Sequence, residues 1–317
     1  MKRRQIIELL VIILVGFTPL LWFHGNQVIL GHDSGLTLSP VSHFLDRLYA
    51  WTERFGFGND QTYAIPGFFI HGLEALVASL GFNLQTVQKI VFIFWFLLPG
   101  LTMYYFSSKL AKKLNLTYFA LPVTVLYMFN HFLLQGWFVV ERTKFSVYAA
   151  LPLVMAFLFD WEEGKRSSFK TALFISLTVF VLNGAASLPL FGGLILTVFS
   201  FIIFFFIKKF SRERVIQVLK LLGLTFVISA FLNAYWIHPY GGYLLQSYAS
   251  AVSQAGGLSG VLGWLTYVSQ DSSFINIFRL QGIPEWYLNT SHPYSNVFLN
   301  NIFLIAIGFL IPIVAFL

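Results

Sequence analysis

The sequence predicts an all-α fold, a polytopic bundle of transmembrane helices, and three observations predict it. Hydrophobic residues make up 57% of the 317 positions and charged residues only 10%, which leaves too little polar surface to coat a water-soluble globule of this size. Apolar runs of the roughly 20 residues needed to cross a hydrocarbon core ~30 Å thick recur along the chain. The basic residues behind the net charge of +7 fall in short clusters between these runs, as the positive-inside rule requires, and form no continuous basic face of the kind that binds nucleic acid.

Eight crossings are expected: Ile6 to His24, Val87 to Phe106, Leu116 to Leu134, Ser146 to Phe159, Thr171 to Leu188, Leu190 to Ile207, Leu221 to Ile237 and Val297 to Leu317. The first follows Lys2-Arg3-Arg4, is longer than a signal-peptide core and lacks a small-residue cleavage site, so it reads as an uncleaved anchor. The run from Pro66 to Gly81 is apolar but short, with His71 and Glu74 inside it. Charge decides its placement. Laid in the outer interface, it leaves fourteen of the twenty Lys and Arg residues inward, and only Arg47, Arg54, Lys89, Arg142, Lys144 and Arg279 outward. Both termini then lie inside, and Asp33 lies on the outer side of the cell membrane.

Between the first two crossings, residues 25–86 form the first external loop. Ser39-Pro40 pairs an N-cap with a proline at the first helical position. From there Val41, Phe44, Leu45, Leu48, Trp51 and Phe55 recur at three- and four-residue spacing, so an amphipathic helix lying along the membrane surface is expected to run to Gly56-Gly58-Asn59. A second interfacial helix is expected to begin at Pro66. The other outer segments are Gln135 to Phe145, a tight Asn183-Gly184 turn, and a large loop from His238 to Asn296. Trp51, Trp137, Trp236, Trp264 and Trp286 fit an aromatic belt. The whole chain reads as one transmembrane domain, 1–317, and its apolar end suggests the N-terminal part of a longer protein.

Several chemistries find no support in the residues. There is no cysteine, no Gly-x-x-x-x-Gly-Lys-Ser/Thr and no His-Glu-x-x-His, and the seven histidines show no metal-ligand spacing. Ionisable groups are almost missing from the expected mid-membrane regions, which counts against an ion-coupled transporter. What remains is a carboxylate just outside the membrane, Asp33, with cations and aromatics in neighbouring loops. Such a carboxylate can deprotonate an acceptor hydroxyl, and arginine offers a bidentate fork to a leaving phosphate. Asp33 followed by Ser34-Gly35 is equally ordinary turn chemistry, and the loop cations serve as readily as headgroup anchors.

The region Gly31 to Leu110 resembles the N-terminal part of the α-(1→3)-arabinofuranosyltransferases, membrane enzymes of the GT-C glycosyltransferase class. The matching residues are Asp33, Leu38 with Pro40, Phe44-Leu45-Asp46-Arg47, Trp51, Phe57-Gly58, Gln61-Thr62-Tyr63 and Pro66. Asn183-Gly184 and Asn233-Ala234-Tyr235-Trp236 resemble turn elements of similar proteins. Two departures stand out: Ser34, Leu36 and Thr37 occupy the stretch where the family tends to carry a second acid, and the chain is much shorter than family members. The resemblance implies a polyprenyl-phosphate sugar donor, a glycan or lipid acceptor, an inverting transfer and Asp33 as the base. Donor or acceptor contacts are then expected from Asp46, Arg47, Arg54, Gln61, Tyr63, Glu141, Arg142, Lys144, Arg279 and His292. No residue is assigned to a metal, and a divalent cation at the phosphate is left open. The rivals are an oligosaccharyl or protein glycosyltransferase, though Trp-Trp-Asp and a first-loop Asp-Glu pair are both missing, and a flippase or transporter of lipid-linked saccharides. A scaffolding subunit is the third class.

Overall fold

The computed structural model describes residues 3–30, 37–53, 58–138, 140–184, 187–208, 210–254, 257–269 and 301–316. Among them the chain is all-α, with one two-residue antiparallel pair. The elements are α1 (Arg3–Gly16) with a 3₁₀ turn (Thr18–Trp22), α2 (Pro40–Asp46), β1 (Trp51–Thr52), β2 (Asn59–Asp60) and a 3₁₀ segment (Thr62–Gly67). There follow α3 (Phe68–Ser79), α4 (Leu84–Leu114), α5 (Ala120–Met128), α6 (His131–Phe138), α7 (Arg142–Glu162), α8 (Ser168–Val181), α9 (Leu188–Lys208), α10 (Arg212–Gln254), α11 (Leu258–Ser269) and α12 (Ile302–Phe316). Among the described residues, five stretches are long and apolar enough to cross a membrane: Arg3–Trp22, Leu84–Leu114, Arg142–Glu162, Leu190–Ile207 and Arg212–Tyr243. The protein is a helical membrane protein.

For the remaining three expected crossings the described residues form shorter helices. The stretch expected from Leu116 to Leu134 is two short helices, α5 with 9 residues and α6 with 8. Asn130 caps the second by accepting the amide of Leu133 at 3.0 Å, which ends one helix and starts the next. The described helices α8 and α12 have 14 and 15 residues, or about 21 and 22 Å at 1.5 Å per residue.

In the first loop, α2 ends at Asp46, well short of Phe55. Tertiary hydrogen bonds stop it. The Gln61 side chain donates to the carbonyl of Asp46 at 3.0 Å, and the Gln61 amide to the carbonyl of Ala50 at 2.8 Å, while Trp51 and Thr52 pair with Asp60 and Asn59. Beyond Leu48 the helical periodicity thus gives way at Trp51 and Thr52 to an antiparallel pair with residues 59 and 60. Pro40 opens α2 as expected, but Ser39 makes no side-chain cap bond. The large outer loop expected from His238 begins in helix, since α10 continues through Pro239 to Gln254. Asn233-Ala234-Tyr235-Trp236 is correspondingly helix, with the Asn233 side chain donating to the Ser229 carbonyl at 2.8 Å and accepting from Trp236 Nε1 at 2.8 Å.

The chain divides into two units, Met1–Met128 with Gly136–Gly241, and Phe129–Gln135 with Gly242–Leu317. Every side-chain site described below belongs to the first. Its core is a helix-packed cluster in which Val154, Phe157 and Trp161 of α7 meet Ile175 of α8, Phe201 and Phe205 of α9, and Leu221 of α10. A second, aromatic cluster centres on Trp137, stacked on Phe145 at 4.0 Å and flanked by Trp22, Phe92 and Phe96 at 5.0 to 5.7 Å ring separations from it. Trp137 is therefore core and not part of an interfacial belt.

Two polar ties set the loop segments against this core. Gln88 of α4, fully buried, exchanges both hydrogen bonds with the backbone of Ile29, while Gln85 donates to the carbonyls of Gly25 and Gln27. At the end of α8, the Asn183 side chain donates to the carbonyl of Pro66 at 2.9 Å and the Gly184 amide to Ser146 Oγ at 3.0 Å. Gly184 has φ +59° and a Cβ there would lie 2.5 Å from Val147 Cγ2. Gly164 also has positive φ, +70°, but faces open space. The Gly164→Ala substitution should therefore cost only the left-handed backbone penalty of about 1–2 kcal/mol, and Gly184→Ala distinctly more. Denaturant midpoints of the two variants in detergent check this, and equal losses would refute the packing account.

Candidate functional site

Glu74 lies within an apolar helix, and a carboxylate so placed must find a cation or lose its charge. Its partner is Arg142, the first residue of α7: the two are 1% and 6% exposed and form a direct ion pair through Glu74 Oε1. The other carboxylate oxygen of Glu74 faces His71 Nδ1 at 3.3 Å. The i, i+3 spacing of His71 and Glu74 puts both on one face of α3. Across from them His43 of α2 meets the His71 ring edge-on at 4.9 Å.

Burial holds the His71 imidazole well below its ordinary value, and the positive charges of Arg142 and Arg47 and the neighbouring His43 lower it further. At neutral pH His71 is the uncharged form, so its Nδ1–H donates to Glu74 and its Nε2 is left as an acceptor. A carboxylate-oriented neutral imidazole of this kind has general-base geometry. Arg47 lies close enough to act electrostatically on both His71 and Arg142, so two guanidinium groups share this corner of the fold.

On their other faces the same two helices line an apolar groove of about 620 Å³. Val41 and Phe44 of α2 and Phe68, Gly72, Ala75 and Leu76 of α3 form much of it, with Phe94 and Trp95 of α4 and the end of α8. Ser79 and Trp95 are its polar-bearing residues, and Trp95 Nε1 is buried without a hydrogen-bond partner among the described residues. Phe44 packs on Phe68 at 5.3 Å and limits the space above Gly72. A polar corner thus lies one helix face away from an apolar trough.

Of the residues singled out in the sequence, the structure brings Arg47 and Arg142 together. Asp46, beside Arg47, receives Gln61 on its carbonyl, which makes Gln61 a buried helix-end tie. Glu141 and Lys144 pair with each other at 2.6 Å at the start of α7. The backbone of Tyr63 lies in the 3₁₀ segment. Asp33, Arg54, Arg279 and His292 lie outside the described residues. Glu74, His71 and His43 were missed as site residues, although an acid and a histidine three apart inside an apolar run was a readable signal. No group of three or more His, Asp or Glu residues is gathered as metal ligands among the described residues.

Compared with protein-family models, curated proteins and solved structures, the chain matches none.

Two measurements test the electrostatics. Glu74→Gln leaves a buried guanidinium uncompensated and should cost about 3–5 kcal/mol, whereas Glu74→Leu with Arg142→Met together should cost far less than the two single changes summed. Full additivity in denaturant midpoints would refute the coupling. For His71 the folded state resists protonation, so the unfolded state binds more protons between the folded value and about 6.5. Stability should be fully present above that window and fall as pH is lowered through it. His71→Phe should flatten this part of the profile, and an unchanged slope would show that His71 does not titrate as described.

Proposed function

We propose that the protein is a GT-C-like membrane glycosyltransferase that moves a sugar from a polyprenyl phosphate onto a glycan or lipid acceptor on the extracytoplasmic side. The observation that carries this reading is the apolar groove of α2 and α3 beside the corner holding Arg47 and Arg142. A lipid-linked sugar phosphate needs both, an apolar trough for the isoprenoid chain and cations at the point where chain meets phosphate. The chain that leads into the segment with Asp33 is tied to the start of α4 through Ile29, which supports a fixed entry to that segment.

In the proposed transfer the acceptor hydroxyl oxygen attacks the anomeric carbon, and its proton passes to the carboxylate of Asp33. The bond between the anomeric carbon and the phosphate oxygen breaks, and its electron pair leaves with the polyprenyl phosphate. Arg47 and Arg142 balance the charge gained there. Glu74 and His71 act as positioning residues, holding the Arg142 guanidinium and keeping its surroundings dry.

The full chain, purified and supplied with radiolabelled polyprenyl-phosphate sugar and acceptor, should transfer label. Asp33→Asn should reduce turnover by 10²-fold or more, in the range given by loss of a general base, while donor binding persists. Leu76→Trp, which narrows the groove from an exposed position, should raise KM for a long-chain donor more than for a short-chain one and leave kcat nearly unchanged. Near-normal turnover in Asp33→Asn rejects this base. Translocation of the donor between leaflets without transfer would favour a flippase.

A further inference from the structure

At the other end of α7 from Arg142, 18 residues away or about 27 Å along a helix, lies a second cavity of about 540 Å³ with the opposite character. It falls in the size range of small-molecule sites. Five of its lining residues are cations and two are acids. Asp160 receives Lys109 at 2.5 Å and Arg166 at 2.8 Å. Lys113 reaches Glu162 at 2.9 Å and Glu163 at 3.4 Å, and Lys165 also pairs with Glu163. Counting all three acids, two positive charges remain in excess. The C-termini of α4 and α7 contribute roughly half a negative charge each, which still leaves the cavity cationic.

These cations are not a solvated brush. Three are seated over aromatic rings, Lys109 over Tyr105 at 4.6 Å, Lys113 over Phe159 at 4.8 Å and Arg166 over Phe174 at 4.6 Å. The turn after α7 bends back so that the amides of Lys165 and Arg166 both reach the Asp160 carbonyl, at 2.8 and 3.3 Å. Lys112 lines the same cavity, is exposed, and has no ion-pair partner among the described residues. Topology alone would be served by lysines dispersed along the inner loops. Here they converge on one space between two helices, three of them held over rings and Lys112 and Lys165 exposed at its edge.

We propose that this cavity binds a phosphate group of net negative charge, carried by an anionic phospholipid headgroup or as free phosphate, with Lys112 and Lys165 as the cations that meet it. Basic pockets between membrane helices take anionic headgroups in this way. The site does not depend on the glycosyltransferase reading.

The test is thermal unfolding of the purified full chain in a non-ionic detergent, titrated separately with short-chain phosphatidylglycerol, short-chain phosphatidylcholine and inorganic phosphate. Phosphatidylglycerol or inorganic phosphate should raise Tm where phosphatidylcholine does not. Lys112→Gln with Lys165→Gln removes two surface charges and should weaken the apparent affinity by about tenfold or more. Lys89→Gln, at the opposite end of α4, should leave it unchanged. A response to phosphatidylglycerol alone assigns the lipid as the source, and an equal response to inorganic phosphate assigns the free ion. The proposal is overturned if phosphatidylcholine stabilises equally, if neither phosphate source shifts Tm, or if the double variant responds like the parent. The unliganded Tm of each variant separates loss of binding from loss of fold.

Discussion

The ion pair between Glu74 and Arg142 is the constraint on which the packing of α2 and α3 in the first unit depends. Two nearly inaccessible charges cannot separate, because each alone would face a desolvation penalty of several kcal/mol. The helix that carries Glu74 has only 12 residues, too short to be held by spanning a bilayer. Its attachment must therefore come from its neighbours. The pair supplies one point of attachment to α7, and the Asn183 amide on the Pro66 carbonyl supplies another from the end of α8. With its entry and its middle tied, α3 becomes a wall on which α2 can pack through Phe44, Phe68 and the small Gly72.

That wall explains why polar and apolar surfaces sit so close together. Along α3, His71 and Glu74 are three residues apart and share a face, while Phe68, Gly72 and Leu76 recur four apart on another. The same division holds on α2, where His43 and Arg47 face the ion pair and Phe44 faces the groove. The proposed amphipathic donor would match two helices divided in this way, its charged part meeting one face and its apolar part the other.

Much of the helical framework was legible because it depends on length. A run of about 20 apolar residues has few alternatives, and the first, second, fourth, sixth and seventh expected crossings coincide with the five long apolar helices. Where the structure departs, a specific hydrogen bond outweighs periodicity. Gln61 on the Asp46 carbonyl stops α2, and Asn130 on the Leu133 amide divides what reads as one crossing. The site was less legible. Arg142 and Arg47 were visible as outward-facing cations, but Glu74 was hidden because topology is weighed on Lys and Arg alone. Trp137 was misassigned because an indole in an expected loop reads the same whether it meets headgroups or, as here, stacks on Phe145.

The two ends of α7 bring these features into one piece of physics. From Phe145 to Phe159 the helix carries no Asp, Glu, Lys, Arg or His, while Arg142 and Lys144 stand at one end and Asp160 and Glu162 at the other. The uncharged stretch between Lys144 and Asp160 spans about 24 Å, close to but less than a hydrocarbon core of ~30 Å. Sliding the helix along the bilayer normal would drag one paired cluster into lipid, at a cost that grows with every charge moved. Charge at both ends therefore fixes the depth of α7. Because α3 is tied to α7 through Glu74, the depth of the groove is fixed with it. The cationic cavity at the Asp160 end and the ion pair at the Arg142 end are thus joined through one helix, and a ligand bound as proposed at either end would restrain the level of the other.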